Sequence, residues 1–398
     1  MNAPHRFAGL PPYAFPRLRA LLADVAPPAG VAPIEMTIGD PRHAPPAFVG
    51  EVVAAHNAAF MSYPPNDGAP ELLQAAGRWL TRRYGWDGDA ATQIMALNGT
   101  REGLYNAAMA LVPETKNGAT PIIATPNPFY QVYAVASLSV GAEPMYLDAT
   151  EATGHLPDLA ALSSETLDRL AVAYVCSPAN PQGAVASRDY WSDLLRLAER
   201  HDFLVFADEC YAEIYRASPP PGILEAAKAT GADPDRVVAF HSLSKRSNLA
   251  GLRSGFAVSG AGNIARMRQL RNYAGAPLPL PLQMAAAAAW DDEAHVEENR
   301  RLYAAKFDAA AEIFAGIDGV GIPDAGFFLW LPVPDGDGEA ATVRLWREAG
   351  VKVLPGAYLA RDGADGTNPG TGFVRAALVA APDEAADGMA RIRQHLYD

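Results

Sequence analysis

Cysteine is nearly absent: the chain of 398 residues has two, Cys176 and Cys210. Two thiols cannot build a disulfide framework, and no Cys/His spacing typical of a metal site occurs, so no metal is expected. Such usage fits a reducing compartment. No apolar run approaches the roughly 20 residues of a membrane-spanning helix. The Ala-rich piece 284–290 is short and reads as a packed helix. The opening MNAPHRFAGLPPYAF lacks the apolar core of a secretory signal, so a cytoplasmic chain without a membrane partner is expected. Positive charge is also scarce: 32 Lys and Arg face 45 Asp and Glu, a net charge of −13. Nucleic-acid binding needs concentrated positive charge and is not expected. Small anions stay open as substrates, because a few buried arginines can hold an anion inside an acidic chain.

Apolar residues make up 49% of the chain and charged ones 19%, enough for a large core and too apolar for a disordered chain. The length suggests two or three structural units. Residues 1–46 are Pro-rich, with one helical piece near 15–22. Short, continuous apolar runs then follow at 121–124, 144–147, 170–176, 203–207, 237–241 and 256–258, as expected of strands buried on both faces. Helix-type runs lie between them at 102–111, 129–139, 188–200 and 264–273. This alternation predicts an α/β sheet covered by helices. After about residue 283 the character changes to one long helix, 293–314, and short strands at 326–331, 351–354 and 373–378, a smaller α+β unit. The Gly/Asp-rich stretch 362–372 is expected to be a mobile loop near a site. The expected division is 1–46, an arm joining the small unit; 47–284, the large domain; and 285–398, the small one.

In α/β proteins function gathers at the carboxyl ends of strands. Run 170–176 leads into Ser177-Pro178-Ala179-Asn180-Pro181-Gln182-Gly183. Run 203–207 leads into Asp208-Glu209-Cys210-Tyr211, and run 237–241 into Ser242-Leu243-Ser244-Lys245, with Arg253 eight residues on. Singly, each has an ordinary reading. A lysine is most often a solvated charge, an aspartate after a strand can be a helix cap, and Asn-Pro with Gly is turn chemistry. Asn98-Gly99-Thr100 matches a glycosylation acceptor, a pattern too common to carry weight.

As an ordered set, these segments resemble the fold-type I pyridoxal-phosphate (PLP) enzymes, specifically the class I/II aminotransferases. The resemblance covers nearly the whole chain from Gly39-Asp40-Pro41-Arg42-His43 onward. It implies a large domain with a mostly parallel seven-stranded sheet between helices, plus a smaller α+β domain. It further implies that Lys245 condenses with the cofactor aldehyde, and that Asp208 pairs with the pyridinium nitrogen. Tyr211 and Asn180 would donate to the ring 3-oxygen. Ser242, Ser244, Arg253 and the helix opened by Gly99, Thr100 and Arg101 would hold the phosphate. Tyr130 would stack on the ring, and Tyr63 would reach the phosphate of a neighbouring subunit, so a homodimer with shared sites is implied. Gly39, Asn180 and Arg375 would contact substrate, with Arg375 gripping the α-carboxylate. The physics suits these roles. A buried carboxylate keeps a ring nitrogen protonated. A helix N-terminus with hydroxyls and Arg favours phosphate. A freed lysine amine can move a proton to and from Cα.

Within the family, HSLSKRSNLAGLRSGF, PNPFYQVY, NGTREGLY and WDDEAHVEENRRLYAAKF are most similar to the succinyldiaminopimelate aminotransferases of lysine and diaminopimelate biosynthesis. The implied reaction is ping-pong exchange between the glutamate/2-oxoglutarate pair and N-succinyl-LL-diaminopimelate or its 2-oxo form. The Pro-rich segment 275–281 and Ala250 depart from that pattern. A polyanionic substrate calls for a second cation; Arg101, Arg42, Arg246 and His43 are candidates, Arg101 foremost because its loop approaches the cofactor. Other readings are an aspartate or other class I/II aminotransferase and a carbon–sulfur lyase or decarboxylase of the same fold. A PLP-binding transcription regulator is disfavoured, because no basic segment precedes the resemblance.

Overall fold

A computed structural model of the protein describes Phe7, Leu10, residues 13–363 and residues 365–398. Its centre is a seven-stranded sheet: β1 (Ile94–Leu97), β2 (Ile122–Asn127), β3 (Glu143–Asp148), β4 (Leu170–Cys176), β5 (Leu204–Asp208), β6 (Val237–Ser242) and β7 (Gly255–Ser259). The spatial order is β1-β7-β6-β5-β4-β2-β3. All neighbours are parallel except β7, which runs antiparallel to β1 and β6. Every residue of β4 is buried, as required of a strand covered on both faces. Successive residues serve opposite cores: Val172 and Tyr174 join Phe206, Phe240 and Tyr133 on one face, while Ala173 and Val175 join Trp191, Phe203 and Trp290 on the other.

Helices Thr100–Leu111 and Val132–Ser139 lie against the first core, and Pro70–Tyr84, Arg188–His201 and Leu280–Asp291 against the second. Leu280–Asp291 needs its alanines: Ala285, Ala286 and Ala289 are fully buried where it packs on Phe48–Ala55 and Pro70–Tyr84.

The smaller unit has an antiparallel sheet in the order Leu354–Pro355, Phe373–Ala377, Phe328–Pro332, flanked by helices Ala294–Ile313 and Pro382–Leu396. Ile34–Glu35 pairs in parallel with Val351–Lys352, so the N-terminal segment packs with the C-terminal one. We propose that the large unit ends near Asp291 rather than at residue 284, because Ala286, Ala287, Ala289 and Trp290 belong to its core.

The apolar runs locate six of the seven main strands. Strand β1 escapes them because it is four residues long and follows directly on the helical turn Ala90–Gln93. The run 351–354 is two short strands, Val351–Lys352 and Leu354–Pro355, with different partners. The described residues of 362–372 are tied back by Asn368 to Asp362 and by Gly363 N–H to Thr367 O; none of them lines the cleft described next.

Candidate active site

Strands β4, β5 and β6 are adjacent, and their carboxyl ends open into a cleft of about 420 Å³. Gly39, Thr100, Arg101, Tyr130, Asn180, Asp208, Tyr211, Ser242, Ser244, Lys245, Arg253 and Arg375 all line it. Residues as distant in sequence as Gly39 and Arg375 therefore share one cavity.

Asp208 ends β5 and is 3% exposed. Its Oδ2 accepts a hydrogen bond from the Tyr133 hydroxyl at 2.7 Å, and its Oδ1 one from the Cys210 N–H at 3.3 Å. Burial pushes its carboxyl above the usual range; the Tyr133 and Cys210 hydrogen bonds and the Lys245 charge oppose that shift. Lys245 sits on the turn after β6 and directs its Nζ to the Gly39 carbonyl. Burial holds this amine below the usual lysine range; Cys210 and Asp40 oppose the shift, and Arg375 and Arg253 add to it. More of it is therefore the neutral, nucleophilic base at a given pH.

Arg375 is buried on the strand Phe373–Ala377. Its Nη2 donates to Thr37 O at 2.7 Å and its Nη1 to Asn180 Oδ1 at 3.1 Å, with the guanidinium over the Phe328 ring. Its Nε has no partner, and burial pulls its pKa down to about 10. A buried guanidinium facing no carboxylate among the described residues is under-satisfied, and a carboxylate entering the cleft would correct this.

Opposite lies the N-terminus of helix Thr100–Leu111. Gly99 caps it at φ +83°, and a Cβ there would meet Arg253 Nη2 at 2.2 Å. Only glycine therefore lets the guanidinium close over this helix end. Arg253 is oriented by Asn98 O (3.0 Å) and Ala250 O (2.8 Å), and Ser242 Oγ caps the next turn at Ser244 N–H. The result is a cluster of N–H groups, hydroxyls and one guanidinium, a donor set suited to phosphate.

Among the four candidates for a second substrate cation, the structure places only Arg101 in the cleft, where its Nε donates to the Tyr130 hydroxyl. Arg246 is buried away from it, bonded to Ala289 O and Glu293. Arg42 is exposed and pairs with Glu384, and His43 is bonded to Asn299 and Lys306. Of the four candidates, Arg42, Arg246 and His43 thus lie outside the cleft, and Arg101, the foremost, lines it: neighbours of a site residue in sequence can face elsewhere in space. Tyr63 is fully exposed and outside this chain's cleft. Tyr133 was missed. It lies on the helix Val132–Ser139, just after Tyr130, whose ring it meets edge-on at 5.9 Å, but nothing in the sequence connects it to a carboxylate 75 positions away.

A family model, aminotransferase class I and II, matches residues 32–390. The chain belongs to that family. The enzyme is accordingly PLP-dependent. It is 32% identical to an LL-diaminopimelate aminotransferase of Maridesulfovibrio salexigens over 97% of either chain. Among solved structures it matches an aminotransferase from Neisseria meningitidis at 39% identity and TM-score 0.93, covering 98% of this chain and 99% of that one. It also matches a probable N-succinyldiaminopimelate aminotransferase from Thermus thermophilus at 27% identity and TM-score 0.83, covering 96% and 100%. The cleft fits the cofactor on its own terms. It offers a phosphate cradle that a Cβ at Gly99 would fill, a buried carboxylate, and a desolvated lysine lining the same cavity.

Proposed function

We propose that this aminotransferase moves an amino group between a diaminopimelate-type amino acid and 2-oxoglutarate in a ping-pong cycle, serving diaminopimelate and lysine formation. The observation carrying the substrate class is the cation inventory of the cleft: Lys245, Arg253, Arg375 and Arg101. With Lys245 and Arg253 assigned to the cofactor and Arg375 to the α-carboxylate, Arg101 remains for a distal carboxylate. The names of the relatives above support the same class.

When bound, the cofactor supplies an electron sink for the bond broken at Cα. The chain's residues do the rest. Gly99, Thr100, Ser242, Ser244 and Arg253 hold the phosphate. Asp208, its negative charge steadied by Tyr133, would hold a proton on the ring nitrogen. Tyr211 and Asn180 would hold the ring 3-oxygen, and Tyr130 would pack against the ring. Arg375 orients the substrate so that its Cα proton faces Lys245, whose Nζ takes that proton and returns it. Retention of the α-carboxylate by Arg375 favours transamination over decarboxylation.

A homodimer completes the site. Tyr63, Met61 and Phe60 are exposed, and Asn66 bonds Asn272 at 3.0 Å, bringing this segment beside the exposed Tyr273. An apolar patch of this kind suits a second copy, whose cofactor phosphate Tyr63 would reach.

Two forms of the substrate are possible, N-succinylated or free. Asp40 also lines the cleft and would suit the free distal ammonium of LL-diaminopimelate, a charge that succinylation removes. The test is a donor screen with purified enzyme and 2-oxoglutarate, comparing LL-diaminopimelate, N-succinyl-LL-diaminopimelate, aspartate, N-acetylornithine and aromatic amino acids. The bound cofactor's absorbance should change with one of the first two donors and be restored by the 2-oxo acid. A preference for any of the other three defeats the assignment, and release of pyruvate, ammonia and homocysteine from cystathionine would indicate a lyase.

A further inference from the structure

Lys306 is completely buried on helix Ala294–Ile313, and no carboxylate among the described residues pairs with it. Its Nζ has two polar contacts, Leu378 O and His43 Nε2, each at 2.8 Å. His43 Nδ1 lies 3.0 Å from Asn299 Oδ1, and Asn299 Nδ2 donates to the carbonyls of Lys245 and Arg246, each at 3.3 Å. The two ends fix the direction of this chain. A lysine ammonium only donates, so His43 accepts at Nε2 and carries its proton on Nδ1. Asn299 must then accept through Oδ1 and turn its amide N–H groups toward the lysine turn.

One ammonium thereby ties together three segments that meet in the cleft. Leu378 lies three residues past Arg375. His43 lies four past Gly39, whose carbonyl receives Lys245 Nζ. Asn299 holds the backbone of Lys245 itself. A buried unpaired ammonium is costly, and an apolar residue would serve packing alone better. We propose that Lys306 is a positioning residue that, through His43 and Asn299, sets Lys245 and Arg375 relative to one another. This rests on the assignment of Lys245 as the cofactor lysine.

Charges around the chain are few. Tyr303 lies under Lys306, on the same helix. Glu384, from helix Pro382–Leu396, acts on Lys306 at longer range and is paired with Arg42. Glu298 acts on His43 and is held by Arg301. Burial brings Lys306 down to about 7 and keeps His43 below its ordinary value, so below about pH 7 Lys306 is the donating ammonium and His43 the neutral acceptor, and the comparisons are made in that range.

The test compares holoenzymes of wild type, Lys306→Met, His43→Leu and His43→Gln. The readouts are cofactor affinity, the pH midpoint of the bound cofactor's absorbance, kcat and KM for the amino donor, and the melting temperature. Lys306→Met should keep or raise the melting temperature, because it removes an unpaired buried charge. It should also raise the absorbance midpoint by about 0.5–1 unit, as loss of a nearby cation strengthens proton binding, and lower kcat/KM about tenfold. His43→Leu should behave alike, while His43→Gln, with one acceptor and one donor group, should stay within about twofold of wild type. A wild-type midpoint and KM in Lys306→Met, or identical behaviour of Leu and Gln at 43, overturns the proposal. If Lys306→Met does not fold, the His43 pair decides alone. The assignment of Lys245 is tested separately by Lys245→Ala, which fails it if the wild-type absorbance persists.

Discussion

Replacing Tyr133 by Phe removes one hydroxyl and little else. The ring stays stacked on Tyr174, 4.5 Å between centroids and 12° from parallel, and Asp208 keeps its contacts with Cys210, including the N–H at 3.3 Å, and the Lys245 charge. A hydrogen bond to a charged group contributes about 1.5–3 kcal/mol, and one pKa unit corresponds to about 1.4 kcal/mol. The Asp208 carboxyl, already raised by burial, should therefore climb a further ~1–2 units. The sign follows from proton uptake. Between the unfolded and folded pKa values the folded chain binds more protons than the unfolded one, so stability falls as pH rises through that window. Tyr133→Phe extends the window upward. The cofactor-free variant should lose stability above the folded pKa of Asp208 and much less below the ordinary aspartate range. Carbon-13 NMR of aspartate-labelled protein reads the carboxyl directly, melting against pH reads the linkage, and cofactor affinity should fall about tenfold or more. An unchanged Asp208 titration together with unchanged cofactor affinity would refute this account of the carboxylate.

Three further outcomes are expected. Lys245→Ala should abolish covalent cofactor attachment and turnover while leaving the melting temperature of the cofactor-free protein within a few degrees, as read by absorbance and calorimetry. Gly99→Ala forces a Cβ to 2.2 Å from Arg253 Nη2 at φ +83°, so cofactor affinity should drop by about tenfold or more, measured by equilibrium titration with PLP. Tyr63→Phe should weaken cofactor retention in the dimer by about fivefold; a stable monomer with full activity, seen by sedimentation, would remove the shared-site reading.

Much of this architecture was legible because the central strands are buried on both faces and read as continuous apolar runs. Six main strands and the polar groups at three of their ends came directly from that signal. Strand β1 was lost because four residues carry too little periodicity. The assignment of individual roles came from family resemblance, since Lys245 alone looks like any surface lysine. Arg246 shows the limit of proximity in sequence: it follows Lys245, yet the helical turn sends it against Trp290, 5.0 Å from the ring, and toward Glu293. Tyr133, Asn299 and Lys306 were illegible for another reason. Their importance lies in partners 50 or more positions away, a relation that no local pattern records.

The immediate adjacency of β4, β5 and β6 has a bearing on redesign. Strands in a sheet lie about 4.8 Å apart, so the three neighbours carrying Asn180, Asp208 and Lys245 form a ruler about 10 Å wide whose marks cannot slide independently. Arg375 and Gly39 reach the same cavity from outside that ruler, on the C-terminal strand and the N-terminal segment. An engineer seeking a new amino donor should vary Arg101, which faces the part of the substrate that differs between donors, and leave the ruler, Arg375 and Gly39 untouched.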